Sequence, residues 1–309
     1  MNGRVCVLGS FMMDLIAYAP RRPEPGETMK GTGFTIAVGG KGINQAVAAS
    51  RAGAKSSMLG NLGMDSFGDT FMETLTSEGI DSSGVERHAE MGTGVGLPVV
   101  SGDGDNSIII IPQSNDLADE AFVQRHADLI RASQVLLLQL ELPTAGAVAA
   151  AKIAKEAGVR VVLTPAPVAS LNAFIGLIDV LVPNQMEAAA LTNQNDSFET
   201  QAAALMQKLG CEEVVITLGS KGAYVTNGTH SEIVLAPPVE AVDTVGAGDT
   251  LCGYLSARLA VGDDLFDATR QAVYAASLSV TRRGAALAAP YANEVDTFMS
   301  ELSKERVTE

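Results

Sequence analysis

Several residue types are scarce in this sequence, and each scarcity excludes a class of protein. The 309 residues include no tryptophan, three histidines and only 5% aromatic residues. The histidines show no metal-binding spacing, and the three cysteines are too few and too far apart for a disulfide framework. No apolar run approaches the roughly 20 residues that cross a bilayer, and no export signal is visible. We therefore expect a protein of the reducing cytoplasm without a membrane anchor.

Basic residues are scarce relative to acidic ones. The sequence has 21 Lys and Arg against 36 Asp and Glu, a formal net charge of −15. A field of this sign repels phosphate backbones and anionic lipid head groups, so nucleic acid and membrane partners are disfavoured. An anionic cofactor would need a local site built from backbone N–H groups, a metal ion or one placed lysine.

Apolar residues, at 47% of the chain, are abundant enough for a large buried core, and they fall into an alternating pattern. We predict strands at residues 5–9, 57–60, 135–140, 159–163, 180–182 and 214–217, and helices at 43–52, 67–78, 144–157, 202–209, 251–260 and 267–280. The strands are almost continuously apolar, which is typical of a sheet covered on both faces. The sequence therefore predicts an α/β fold with a doubly wound, mostly parallel sheet flanked by helices.

Two segments interrupt this alternation. Residues 15–38 carry three prolines and three glycines among short β-type stretches, and residues 94–111 contain a hairpin-like turn at residues 102–104. Both patterns indicate antiparallel excursions from the main layer. We predict a core of residues 1–13, 39–93 and 112–309 and a small antiparallel β-lid of residues 14–38 and 94–111, which covers a site or pairs with a second subunit.

The strongest motif is Asp-Thr-Val-Gly-Ala-Gly-Asp-Thr at residues 243–250, just before a helical run. Gly246 and Gly248 permit a tight turn, so that successive backbone N–H groups at the helix start point at one spot and form an anion hole. A carboxylate beside an anion site is unfavourable, so Asp249 suggests a base that takes a proton from an attacking hydroxyl. The alternative is that Asp249 only caps the helix.

Two further groups lie near the start of the chain. Residues 39–46, Gly-Gly-Lys-Gly-Ile-Asn-Gln-Ala, open the first long helix, where Lys41 and Asn44 could bind hydroxyls or a phosphate. The alternative is a glycine-rich connection. Asp14 follows the first strand at the sheet edge where open α/β folds bind ligands, although such a residue is more often part of a turn.

Two more groups follow later strands. Asn184 and Glu187, three residues apart at a predicted helix start, could position a hydrated Mg²⁺ or cap the helix. Residues 217–222 could contact an adenine or a ribose, or form an ordinary turn. The phosphate-binding P-loop and dinucleotide-binding glycine patterns are both missing from the sequence.

Residues 39–46, 184–187 and 243–250, in this order and spacing, resemble the ribokinase-like (phosphofructokinase-B) family of carbohydrate kinases. The resemblance extends over nearly the whole chain. It implies a kinase that transfers the γ-phosphoryl group of ATP to the 5-hydroxyl of a pentofuranose, with D-ribose as the first candidate. A 2-deoxyribose or nucleoside acceptor is the alternative within the family, and a non-catalytic sugar-binding protein is the alternative from another class.

The resemblance also implies a role for each motif. Asp249 would be the catalytic base, and the backbone of Gly246, Ala247 and Gly248 would be the anion hole. The implied sugar contacts are Asp14, Gly40, Lys41, Asn44, Glu141 and Asp249. The implied nucleotide contacts are Asn184, Thr217, Gly219, Ser220, Gly222 and Gly248. Glu187 would organise Mg²⁺ through water, and K⁺ would bind the carbonyl groups of Asp243, Val245, Ser279, Arg282 and Gly284. The family's β-lid implies a homodimer.

The sequence departs from the family pattern at a few positions. Gln113 begins a Gln-Ser-Asn where Gly-Ala-Asn is common, and Thr164 replaces an Asn. Val273 stands where many members place Asn or His near adenine, and Ala288 replaces a Ser near the cation site. Met12 stands where some members have an Asn that faces the sugar. A thioether offers no partner to a hydroxyl, so Met12 makes a 2-deoxy sugar plausible.

Overall fold

A computed structural model of the chain describes residues 3–102, 106–193 and 196–305. The strands of these residues are β1 (Arg4–Leu8), β2 (Met12–Tyr18), β3 (Gly33–Gly39), β4 (Lys55–Gly63), β5 (Asp81–His88), β6 (Val95–Val100), β7 (Asn106–Ile111), β8 (Val135–Leu138), β9 (Arg160–Leu163), β10 (Val180–Leu181), β11 (Glu213–Thr217), β12 (Ala223–Thr226) and β13 (Ser231–Val234). The helices are α1 (Lys41–Arg51), α2 (Ser66–Ser77), α3 (Glu120–Arg125), α4 (Ala127–Arg131), α5 (Thr144–Glu156), α6 (Gln185–Thr192), α7 (Phe198–Leu209), α8 (Ala247–Ala260), α9 (Leu265–Ser279) and α10 (Ala292–Glu305).

Nine strands form the main sheet, in the order β13-β12-β11-β10-β9-β8-β1-β4-β5. All pairs from β11 to β5 are parallel, and β12 and β13 extend one edge as an antiparallel meander. Successive residues of β1 enter different cores: Val5 and Val7 share one core with α1 and α8, whereas Cys6 and Leu8 share the other with α3, α4 and α5. Both faces of β1 are therefore covered, which confirms the predicted doubly wound, mostly parallel sheet.

The two irregular segments meet in a second sheet of order β3-β2-β6-β7. The outer pairs are antiparallel, as expected, but the central strands β2 and β6 run parallel, with Asp14 opposite Gly96. Strand β2 begins at Met12, two residues before the lid boundary proposed from the sequence. Residues 103–105 of the predicted turn lie outside the described part of the chain.

Local sequence signals explain where several helices begin and end. Ser197 caps α7 by accepting a hydrogen bond from the backbone of Thr200, and Gly210 ends it with φ 69°. Helix α7 therefore starts four residues before the predicted bound at residue 202. Within the described residues, no helix combines the length and the hydropathy needed to cross a bilayer.

Helices α1 and α8 pack unusually closely, and this contact brings two of the sequence motifs together. A Cβ atom at Gly253 would lie 2.5 Å from the carbonyl oxygen of Gln45 and 2.5 Å from Cβ of Ala48. Glycine is therefore the residue that allows the two helix axes to approach at this point. As a result, the amino ends of α1 and α8 open onto the same edge of the main sheet, at the carboxyl ends of its parallel strands.

Candidate active site

Asp249 is buried in the first turn of α8, with 8% of its surface exposed. Its Oδ2 accepts a hydrogen bond from Nδ2 of Asn44 at 2.9 Å, and its Oδ1 accepts one from Nε2 of Gln45 at 3.0 Å. The N-cap of α8 is Gly246, and no side chain caps this helix end. The alternative that Asp249 caps α8 is therefore wrong, because its carboxylate faces α1.

Burial raises the pKa of Asp249 above its usual value, while the Lys41 ammonium and the amides of Asn44 and Gln45 oppose this shift. A carboxylate acts as a general base most effectively when its proton affinity is raised toward the working pH. The same helix start carries the glycines of the predicted anion hole. Gly246 adopts φ 76°, and a Cβ at Gly248 would meet no atom within 4 Å, so the loop is open on that side.

A cleft of about 140 Å³ lies in front of this helix start. Its lining brings together the predicted base, Gly246 and Gly248 of the anion hole, and three groups from other motifs: Lys41, Asn184 and Glu187. Burial lowers the pKa of Lys41, but Asp249, Glu141 and Glu187 together raise it above its ordinary value. The lysine therefore stays positively charged between three carboxylates, which suits the binding of an anionic group in a negatively charged protein.

Two of the predicted sugar contacts, Glu141 and Asp14, are not among the residues that line this cleft. Glu141 follows β8, and its Oε2 accepts hydrogen bonds from the backbone N–H of Lys41 at 2.9 Å and from the hydroxyl of Ser10. Asp14 lies in β2 rather than in a turn, and a Cβ at either Gly39 or Gly96 would come within 2.3 Å of its carboxylate. Burial, and then the charge of Glu141, raise the pKa of Asp14 to about 6. The carboxylates of Asp14, on β2 of the second sheet, and Glu141, after β8 of the main sheet, are therefore close enough to interact.

Asn184 and Glu187 form a reciprocal capping box at the start of α6. The Asn184 side chain accepts a hydrogen bond from the backbone of Glu187 at 2.9 Å, and Oε2 of Glu187 accepts one from the backbone of Asn184 at 2.8 Å. The capping alternative is therefore correct. It does not exclude a second role, because Glu187 also lines the cleft and its pKa is raised, first by burial.

A larger cleft of about 360 Å³ adjoins the first, and Thr217 and Gly248 line both. Residues 219–222 form the turn between β11 and β12, and the predicted nucleotide contacts Gly219, Ser220 and Gly222 line this cleft. Among the described residues that line it, polar side chains are limited to serine and threonine, and Val273 contributes to an aliphatic wall. The volume and the largely apolar lining suit a ring system with few polar groups.

The predicted cation ligands lie in two loops that pack against each other behind the anion hole. The Asp243 carboxylate accepts backbone hydrogen bonds from Val245 at 3.0 Å and from Gly284 at 3.1 Å, and thereby joins the loops. Ser279 ends α9, and the Arg282 guanidinium pairs with Glu294 instead of entering the loops. A Cβ at Gly246 would lie 2.9 Å from Cα of Ala285, so the second loop also supports the anion hole.

Sequence reasoning missed three buried polar residues that organise the site. Ser10 binds Glu141, Gln45 binds Asp249, and Gln139 donates to Gln45 at 2.6 Å. A signal was available for Gln139, because a glutamine directly after the apolar strand β8 is unusual in a core position. Nothing local distinguishes Gln45 from its neighbour Asn44.

Comparison with known proteins agrees with these site features. Residues 2–292 match the model of the pfkB family of carbohydrate kinases. A ribokinase of Haemophilus influenzae is 38% identical over 303 residues, 97% of this chain and 99% of that protein. A deoxyribokinase of Salmonella typhi is 34% identical over 302 residues, 96% and 98% of the two chains. The structure of Arabidopsis thaliana ribokinase complexed with ribose and ATP has a TM-score of 0.90 at 31% identity, over 96% and 98% of the chains. These matches confirm the resemblance found in the sequence: the chain belongs to the pfkB family of carbohydrate kinases.

Proposed function

We propose that this protein transfers the γ-phosphoryl group of ATP to the 5-hydroxyl of D-ribose. The observation that supports this most is the position of Asp249, a buried carboxylate in the smaller cleft next to Gly248, which lines both clefts at the start of α8. The larger, mostly apolar cleft suits a nucleotide base. Glu141, which is bonded to the backbone of Lys41 beside the smaller cleft, and Asp14, whose pKa it raises, offer carboxylates to sugar hydroxyls. The names of the relatives, ribokinases among them, support the same substrates.

Each residue of the site has a separate role in the proposed reaction. Asp14 and Glu141 accept hydrogen bonds from sugar hydroxyls, and Asn44 adds an amide whose Oδ1 has no partner among the described residues. Asp249 accepts the proton of the 5-hydroxyl as the sugar oxygen attacks the γ-phosphorus and the bond to the ADP oxygen breaks. The amides of residues 246–248 and the Lys41 ammonium stabilise the charge on the transferred group.

Two cations complete the proposal. Within the described residues no three His, Cys, Asp or Glu side chains cluster as a direct metal site, so Glu187 would hold Mg²⁺ through water molecules. Bound to ATP, Mg²⁺ neutralises phosphate charge. The carbonyl groups of Asp243, Val245, Ser279, Arg282 and Gly284 would hold K⁺, and two loops already joined by Asp243 fit a site that stiffens the anion hole.

The second sheet is the proposed lid and dimer interface. Its strands expose large apolar side chains, including Phe34 and Ile36 on β3 and Ile109, at 65% exposure, on β7. Pairing with a second copy through this sheet would cover them. The buried cysteines carry no disulfide, which supports the proposed cytoplasmic location.

The proposal is tested by measuring kcat/KM for ADP release with ribose, 2-deoxyribose and a panel of nucleosides. We expect ribose to be the preferred acceptor. The second candidate is 2-deoxyribose, and Met12 favours it. The Met12 sulfur lies 3.8 Å from Nδ2 of Asn115, and this side chain has no amide that could bind a 2-hydroxyl. A higher kcat/KM for 2-deoxyribose would select that candidate, and sugar binding without ADP release would identify a non-catalytic protein.

A further inference from the structure

Two buried glutamine side chains lie in series behind Asp249. Nε2 of Gln45 donates to Oδ1 of Asp249 at 3.0 Å, and Nε2 of Gln139 donates to Oε1 of Gln45 at 2.6 Å. Gln45 is 0% exposed and Gln139 is 2% exposed. The chain of amides thus runs from the end of β8, through α1, to the first turn of α8.

The ionised carboxylate fixes the direction of both hydrogen bonds. A carboxylate only accepts, so Gln45 must turn its NH₂ group toward Asp249 and its oxygen toward Gln139. Gln139 must in turn offer its NH₂ group to Gln45. Its own Oε1 then has no partner among the described residues and faces Gly9, where a Cβ would lie 2.3 Å from that oxygen. A buried oxygen without a hydrogen-bond partner is unfavourable. The Gln139 side chain therefore loses a hydrogen bond of its own while it fixes the orientation of the Gln45 amide.

We propose that Gln139 and Gln45 are positioning residues that hold the Asp249 carboxylate in the orientation and charge state that accept the proton of the sugar hydroxyl. The inference rests on the proposed role of Asp249 as the base. It assigns two roles to the segment at the end of β8, sugar binding and support of the base. Glu141 faces the sugar, and Gln139, two residues earlier, acts on the base through Gln45.

The electrostatic surroundings of Asp249 explain why such support matters. The charged or titratable groups that act on it or are acted on by it are Lys41 on α1, Glu141 after β8, Glu187 on α6 and Cys252 on its own helix. Only Lys41 among them favours the ionised form. Burial and the neighbouring carboxylates favour the protonated form, so the amide hydrogen bonds help to keep the base ionised.

The test is the pH dependence of kcat for Gln45→Met and Gln139→Met, which replace an amide by an apolar side chain of similar volume. Gln201→Met is the matched control, because Gln201 is also buried but lies on α7 and lines neither cleft. A hydrogen bond to a charged group corresponds to about one unit of pKa. We expect the acidic limb of kcat to move up by about one pH unit in Gln45→Met, by less in Gln139→Met and not at all in the control, with the ribose KM within about twofold.

An unchanged acidic limb in either glutamine variant overturns the proposal, as does a loss confined to the ribose KM. If Gln45→Met does not fold, Gln45→Glu keeps the shape and places a second carboxyl against Asp249, so the pair should share a proton and the limb should rise further. A Gln45→Glu limb at the wild-type pH contradicts the inference. If the wild type phosphorylates no sugar, the proposed function itself is wrong. If the wild type is active but the acidic limb of the glutamine variants does not move, only the positioning role is wrong.

Discussion

Nδ2 of Asn44 donates a hydrogen bond of 2.9 Å to Oδ2 of Asp249 across 205 residues of sequence. The proposed base and a proposed sugar contact are therefore bonded directly to each other. The other end of the Asn44 amide, Oδ1, is buried and has no partner within the described residues. A sugar hydroxyl that donates to Oδ1 would also lie next to the carboxylate that removes a proton.

Replacing Asp249 by Asn tests the proposed base. The change removes the proton acceptor and keeps the size of the side chain. It replaces one carboxylate oxygen by an NH₂ group, so the Asn44 amide has to turn its Oδ1 toward residue 249. General base catalysis contributes about 10²–10⁴-fold, so kcat should fall by roughly 10³. Calorimetry should find ribose affinity within a few-fold of wild type. A variant with near-normal kcat would exclude Asp249 as the base.

The pKa of Asp14, raised to about 6 from 3.8, predicts a pH dependence of sugar binding. An ionised carboxylate accepts hydrogen bonds from two hydroxyls, whereas the protonated form loses that capacity. The wild-type ribose KM should therefore rise as the pH falls below about 6, with the KM for ATP nearly constant. In Asp14→Asn, the ribose KM should be higher than in the wild type by roughly 10–100-fold above about pH 6, and this difference should shrink below it, so that the inflection near pH 6 disappears.

Asp14 should also limit stability. Because its folded pKa is above the unfolded value, its contribution to stability is fully present below pH 3.8 and is lost as the pH rises through about 6. Asp14→Asn should therefore raise the melting temperature by a few degrees at pH 7 to 8, and the difference should shrink toward pH 4. If the wild type and Asp14→Asn have equal melting temperatures across this pH range, ionising Asp14 beside Glu141 does not lower the free energy of unfolding.

The main sheet was predictable because its central strands are buried on both sides. Val5 to Leu8 of β1 are all apolar, so neither face of that strand can meet water. Strand β5, Asp81–His88, was missed because it lies at an edge, where only one of its residues is fully buried. The parallel pairing of β2 with β6 was also not predictable, because alternation of side chains is the same in both orientations.

The site was predictable only where the motif itself determines the geometry. Gly246 and Gly248 mark a tight turn at a helix start, and the structure has that turn. The partners of Asp249 depend on the close approach of α1 to α8, which no local pattern contains. Asn184 and Glu187 show a different limit. They form the capping box and also line the smaller cleft, so their spacing alone does not separate the structural interpretation from the functional one.

Glu187→Gln separates those two interpretations. Glutamine completes a capping box as glutamate does, so the helix start and the melting temperature should be preserved. The negative charge that would organise hydrated Mg²⁺ is lost. We expect the Mg²⁺ concentration for half-maximal activity to rise by about tenfold or more, with ribose KM little changed. An unaltered Mg²⁺ requirement would leave Glu187 with the capping role alone.

Gly253→Ala tests whether the close packing of α1 and α8 holds the site together. The added methyl group would lie 2.5 Å from the backbone oxygen of Gln45, so the helices must separate. Overpacking of this kind typically costs about 1–3 kcal/mol, and the displacement would also lengthen the hydrogen bonds to Asp249.

The matched control is Ser256→Ala on the same helix, whose buried hydroxyl has no partner among the described residues, so its loss should leave stability equal or slightly higher. Because Gly253 lines neither cleft, a lower kcat in Gly253→Ala would have to act through the helix contact. We expect kcat to fall by about tenfold or more while the folded state persists at 25 °C. If Gly253→Ala loses stability but keeps the wild-type kcat, the spacing of the two helices does not set the geometry of the base.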